Sequence, residues 1–108
     1  MLKEGYLAKK KTYPKGEIHI VVTATAKSIL APSWDLLNDY KDGKVDWDEY
    51  VRRFTVEMMT NPEAIQVMRR IKELAKTKDI RLICYEKQYP CHRYILIYLI
   101  NELIERTF

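Results

Sequence analysis

Ile80-Arg81-Leu82-Ile83-Cys84 decides the fold together with the two segments after it: Tyr85-Glu86-Lys87-Gln88-Tyr89-Pro90, then Cys91-His92-Arg93-Tyr94-Ile95-Leu96-Ile97. The first run is short, rich in branched apolar side chains and bounded by polar residues, so it reads as a buried strand. The apolar run from Tyr94 onward reads as a helix. Between them lies a polar loop carrying a carboxylate, a lysine, two thiols, an imidazole and a guanidinium. An open α/β sheet places its chemistry there, beyond the carboxyl end of a strand and at the start of the next helix.

Working outward, Ile18-His19-Ile20-Val21-Val22-Thr23 is β-branched and apolar on both faces, which predicts a second buried strand with His19 as a structural residue. A shorter strand is expected around Tyr6 to Ala8, followed by a Lys/Pro/Gly turn to Gly16. Ser33 is positioned to cap a short helix through Trp34, Leu36, Leu37 and Tyr40 that ends at Gly43. Asp46 and Glu49 have capping-box spacing, and Trp47, Tyr50, Val51, Phe54 and Met58 continue as a helical stripe. Asn61-Pro62 opens a third helix whose stripe is Ala64, Ile65, Met68, Ile71, Leu74 and Ala75. That helix is suited to be a right-handed crossover delivering Ile80–Cys84 parallel to Ile18–Thr23. The expected fold class is α/β: a small, mainly parallel sheet of two or three strands, covered by about four helices in one three-layer-like domain.

Length and charge narrow the rest. A chain of 108 residues is a single domain with room for a core of its own. Residues 1–16 hold five lysines against Glu4 alone, which accounts for the whole net charge of +4. The basic balance therefore belongs to one N-terminal segment, a solvated loop or a nucleic-acid contact. No apolar stretch approaches the roughly 18 residues that span a bilayer, and Met1-Leu2-Lys3-Glu4 leads into no signal-like core. The expectation is a cytoplasmic protein with reduced thiols and no membrane partner. Scarce Asn and Gln beside abundant Lys and Glu is a composition that thermophile proteins share.

Several blocks occur in one order: Leu30-Ala31-Pro32-Ser33-Trp34-Asp35-Leu36-Leu37, Asp39-Tyr40-Lys41-Asp42-Gly43-Lys44, Trp47-Asp48-Glu49-Tyr50, and Leu82-Ile83-Cys84-Tyr85-Glu86 with Cys91-His92-Arg93. This set resembles the short form of the domain-of-unknown-function family 488, from about Leu30 to the terminal helix. The resemblance implies an α/β fold and a site around the final loop, and supplies no reaction. Longer members of that family carry an additional N-terminal strand and an Asp-Val-Arg-like segment that this chain lacks, so roles resting on those groups do not transfer.

The loop residues divide into two sets. Cys91, at a helix start beside His92, is a candidate nucleophile with His92 as general acid or base. Cys84, inside an apolar strand, reads as an inert core thiol. Arg93 in the first turn of a helix calls for a counter-charge, either Glu86 in an ion pair or a bound anion. Glu86, Lys87, Arg93 and Tyr85 are thus the candidate ligand-binding residues. Trp34, Trp47, Tyr40 and Tyr50 are candidates to line a pocket nearby, with Trp47, Tyr50 and Phe54 also read as core. Two thiols and one histidine match no local zinc spacing, so no metal and no cofactor is expected. Neither cysteine stands at a phosphate-loop spacing from Arg93, and no glycine lies between Cys84 and Arg93, which argues against a cysteine phosphatase.

Three functions are expected from these residues. One is a module binding a small anion or nucleotide at the Cys84–Glu86/Cys91–Arg93 loop. Another is a cysteine-dependent enzyme using Cys91 and His92. The last is a nucleic-acid-associated protein using the N-terminal lysines. The terminal helix, apolar nearly all round from Tyr94 to Ile100, adds the expectation of a homodimer.

Overall fold

The computed structural model describes residues 1–85 and 91–103. Strand β1 (Leu2–Tyr6) leads into a 3-10 helix (Leu7–Thr12) and then β2 (Ile18–Val21). Helices α1 (Trp34–Lys41), α2 (Trp47–Met59) and α3 (Pro62–Leu74) precede β3 (Ile80–Cys84), and α4 (His92–Tyr98) passes into a π-helical turn (Leu99–Leu103). The three strands form one parallel sheet in the order β1-β3-β2, with Leu2, Ile80 and Ile18 in register.

The helices begin where the side chains dictate. Ser33 Oγ accepts from the Leu36 amide, Asp46 Oδ1 from the Glu49 amide, and Asn61 Oδ1 from the amides of Glu63 and Ala64. Each bond satisfies an amide that the first turn leaves without a partner. The α1–α2 link turns at Gly43, whose φ of +74° is left-handed and costs glycine little. Ser33 also donates from Oγ to Glu57, tying the start of α1 to the last turn of α2.

The sheet has two unlike faces. Leu82, Ile80, Cys84 and Val22 pack into one core with Leu36, Phe54, Met68 and Leu96 from the helices. The opposite face presents Lys3, His19 and Arg81 side by side and is covered by Tyr13, whose ring lies 4.1 Å from the Arg81 guanidinium. The third layer is thus a short N-terminal strap rather than a set of helices. Gly5 lies under it, and a Cβ there would meet the Tyr13 ring at 2.7 Å.

Buried Glu17 organises that polar face. Its carboxylate accepts both Arg81 Nε and Nη2 at 2.8 Å, Lys3 Nζ at 3.0 Å, and lies 3.2 Å from His19 Nε2. One carboxylate therefore gathers a side chain from each strand, the bidentate Arg81 pair being the strongest link. The Arg81 hydrogen bonds prevail over burial and hold Glu17 down at about 2.

Two strand expectations change. The N-terminal strand is Leu2–Tyr6, so of the residues expected around Tyr6 to Ala8 only Tyr6 belongs to it, and Leu7 and Ala8 enter the 3-10 helix instead. Lys3 and Glu4 disguised β1 because both polar side chains find partners on distant elements. Strand β2 is an edge strand rather than one buried on both faces, and Ile18 is 37% exposed. Lys9, Lys10, Lys11 and Lys15 are exposed on and after the 3-10 helix, as a solvated segment requires. The apolar residues Ile95, Leu96, Leu99 and Ile100 of the terminal helix are buried within the chain itself, while Tyr98 is exposed. No helix among the described residues is long and apolar enough to cross a membrane.

A group held down by its native partners stabilises the fold above its ordinary pKa, and that stability drains away as pH falls through the native value. Thermal unfolding measured against pH should therefore show a loss between about 4.5 and about 2 that Glu17→Gln removes, alongside a lower melting temperature at neutral pH. An unchanged acid limb in the variant would exclude Glu17 as the source.

Candidate functional site

The carboxyl ends of β2 and β3 and the start of α4 converge on a cavity of about 560 Å³. Its floor is Cys84, Cys91 and His92, all buried. Cys84 is the last residue of β3, Cys91 is the N-cap of α4, and His92 is that helix's first residue. Cys91 has a φ of −150° and makes no capping bond through its side chain.

His92 is held from two directions. Its Nε2 lies 2.6 Å from the Val22 carbonyl oxygen, just beyond β2. A carbonyl only accepts, so Nε2 carries the proton, and in the neutral ring Nδ1 is left as the acceptor. Phe54 meets the imidazole edge-on with centroids 5.6 Å apart, which fixes the ring's tilt. The lone pair at Nδ1 then faces both thiols: Cys84 Sγ at 3.5 Å and Cys91 Sγ at 3.7 Å. The hydrogen bond with Cys91 and burial both raise the Cys84 thiol above its ordinary value, so Cys84 stays a proton donor. A basic nitrogen with a fixed tautomer between two thiols is able to take a proton from sulfur and return it.

The walls are aromatic. Trp47 stacks on Tyr50 at 5.1 Å, and Tyr40 leans on both at 5.8 and 4.9 Å. The stack continues through Phe54 to the histidine, so the core and the site share one aromatic spine. Trp34, 53% exposed, and Lys41 also line the cavity, the lysine supplying a charge. Thr23 and Thr25 border it from a tight turn after β2, where Lys27 takes a left-handed φ of +56°. That conformation is unusual for lysine, and the turn is held by Thr23 Oγ1, which accepts from the Ala26 amide.

Arg93 goes elsewhere. It is fully buried and is not among the residues lining the cavity. Its Nε donates to Glu4 at 2.7 Å, its Nη2 to Tyr94 Oη at 3.1 Å, and its guanidinium lies over the Tyr94 ring at 4.7 Å. Burial is the largest single influence and opposes its charge, but the bond to Glu4 together with Cys91 and Tyr94 outweighs it, so the net shift is upward. The carboxylate described beside Arg93 is thus one from β1, a residue the sequence offered no reason to choose. Glu86 and Lys87 lie outside the described residues. Tyr85 lines the cavity and is 74% exposed.

A family model described as the active DUF488-N3 subclade, DUF488-N3a, matches residues 20–103. The chain belongs to the DUF488 family. Comparisons with curated proteins and with solved structures each find no match. The DUF488 match takes in β3, α4 and the whole cavity floor. The anchors Glu4 and Glu17, which engage Arg93 and Arg81, precede the matched stretch.

Removing one partner of a buried ion pair costs about 3–5 kcal/mol. Urea unfolding should show Arg93→Ala destabilised by at least about 2 kcal/mol through its lost buried contacts, and Glu4→Gln destabilised as well, because it takes a carboxylate away from a guanidinium that is fully buried although Glu4 itself is 41% exposed. A change within about 0.5 kcal/mol for Arg93→Ala would remove the structural role.

Proposed function

We propose that this protein is a cysteine-dependent enzyme in which Cys91 attacks a small substrate and His92 serves as base and then acid. The observation that carries the reading is His92 itself, with Nε2 pinned on the Val22 carbonyl and Nδ1 facing the thiols at a cavity floor. The reaction class is transfer of a group through a covalent sulfur intermediate. Cys91 Sγ forms a bond to an electrophilic carbon while its proton passes to Nδ1. The leaving group departs with the bonding electron pair and collects that proton from the imidazolium. Water or an acceptor, activated by the same nitrogen, then releases the group and restores the thiol. Cys84 assists as a hydrogen-bonding neighbour of Cys91.

The walls favour a substrate with a planar apolar ring, since Trp34, Tyr40, Trp47 and Tyr50 offer stacking surface. Lys41 supports a negative or strongly accepting group on that ring. The description of the matching subclade as active agrees with a chemical rather than a purely structural role. Recognition of an anion through Arg93 is less favoured, because burial and the Glu4 bond keep its charge away from the cavity. Binding of nucleic acid through the N-terminal lysines has only their exposure behind it.

Alkylation by iodoacetamide under reducing conditions, with mass mapping of the product, tests the reading. Cys91 should react at least about tenfold faster than a free thiol peptide, and His92→Gln should slow it by about tenfold or more, in line with what a positioned base contributes. Retained melting behaviour in the variant separates loss of the base from loss of the fold. A Cys91 that reacts no faster than the peptide, or that ignores the substitution, overturns the reading.

A further inference from the structure

We infer that Cys84 Sγ, Cys91 Sγ and His92 Nδ1 form a three-ligand site for a soft divalent cation, Zn²⁺ by preference, with the fourth position open to the cavity. The inference goes beyond the thiol–imidazole reading but shares its atoms, and rests on that reading only for its consequence: a bound cation takes the sulfur and nitrogen lone pairs and silences the enzyme.

The donor atoms already stand at ligand spacing. All three lie within 4.8 Å of one another, and all three residues are buried. In a tetrahedral zinc centre, with Zn–S about 2.3 Å and Zn–N about 2.0–2.1 Å, neighbouring sulfur and nitrogen ligands stand about 3.6 Å apart. The two sulfur–nitrogen separations here are 3.5 and 3.7 Å. Both sulfur–nitrogen spans thus already match a zinc centre, and the two sulfurs lie within 4.8 Å of each other.

The surroundings also match what a metal requires of its ligands. A ligating histidine is normally oriented by a hydrogen bond from its other nitrogen to a carbonyl or carboxylate, which fixes the tautomer. The Nε2 to Val22 carbonyl bond at 2.6 Å is that arrangement, and it leaves Nδ1 as the donor toward the metal. Two thiolates and an imidazole favour zinc and other soft cations over magnesium or calcium. Coordination displaces one proton from each thiol, so two protons leave for each Zn²⁺ bound and the three ligands acquire a net charge of zero with the metal. All three side chains line the cavity, so water or a substrate atom has access to the remaining position. Local sequence spacing hid the site, because its ligands come from the end of one element and the start of another.

The test is titration of the reduced, metal-free full chain with Co²⁺ and then Zn²⁺. One equivalent of Co²⁺ should give a thiolate-to-cobalt charge-transfer band of two-thiolate intensity, which Zn²⁺ then displaces. Cys84→Ser should reduce that band to roughly half and weaken Zn²⁺ binding by at least about tenfold. Bound Zn²⁺ should protect Cys91 from iodoacetamide, and a chelator should restore its reactivity. Absence of a stoichiometric band, or binding unchanged in Cys84→Ser, overturns the inference. If Cys84→Ser does not fold, the band intensity of the unmodified chain decides, one thiolate or none counting against the site. Fast alkylation without a cobalt band sinks this inference alone. A two-thiolate band with a sluggish metal-free Cys91 sinks the enzyme reading and leaves the metal site standing.

Discussion

The hydrogen bond from His92 Nε2 to the Val22 carbonyl is the constraint on which the site depends. It joins the first residue of α4 to the chain just beyond β2, across the mouth of a parallel sheet. A single proton placement then has two effects. It closes the cavity floor by linking two elements that do not pair with each other, and it leaves the second ring nitrogen as a base between Cys84 and Cys91. A rotated or flipped imidazole would lose both, which is why Phe54 packed on its edge matters to chemistry as well as to the core.

The sheet that presents this floor is small, and its polar interactions explain how three strands hold one register. Glu17 joins Lys3 of β1, His19 of β2 and Arg81 of β3 on the strap side. Glu4 of β1 reaches the buried Arg93 of α4 on the helix side. Adjacent residues in one sheet neighbourhood thus serve opposite faces, because side chains alternate across a strand. The two ion pairs fix β1 against β3 and α4, so the helix that carries Cys91 and His92 is set at a defined distance from the end of β3. The aromatic stack from Trp47 through Tyr50 and Phe54 does the same from the α2 side.

Much of the architecture was legible in residues with local meaning. Ser33, Asp46 and Asn61-Pro62 mark helix starts through bonds to amides a turn away, and the stripe from Tyr50 to Met58 reads directly as a buried face. Strand β3 and the start of α4 were visible because the composition changes abruptly between them. Partners distant in sequence were not. Glu4 and Arg93 stand 89 positions apart and Glu17 and Arg81 64 apart, and nothing local announces either pair. Cys84 read as a core thiol because it ends an apolar strand. It is buried as that reading required, yet it also reaches the site, since a strand's last residue belongs both to the sheet and to the edge where chemistry is built. The decisive acceptor, the Val22 carbonyl, is a backbone atom and leaves no trace in a sequence.

The tautomer of His92 decides whether the floor can work as described, and NMR reads it directly. Long-range proton–nitrogen correlation of the imidazole near neutral pH, in the reduced and metal-free protein, assigns each ring nitrogen of His92. The expected result is a protonated, pyrrole-like Nε2 and an unprotonated, pyridine-like Nδ1. A ring protonated at Nδ1 alone would contradict it, because neither a base facing the thiols nor a metal donor would then exist at the cavity floor.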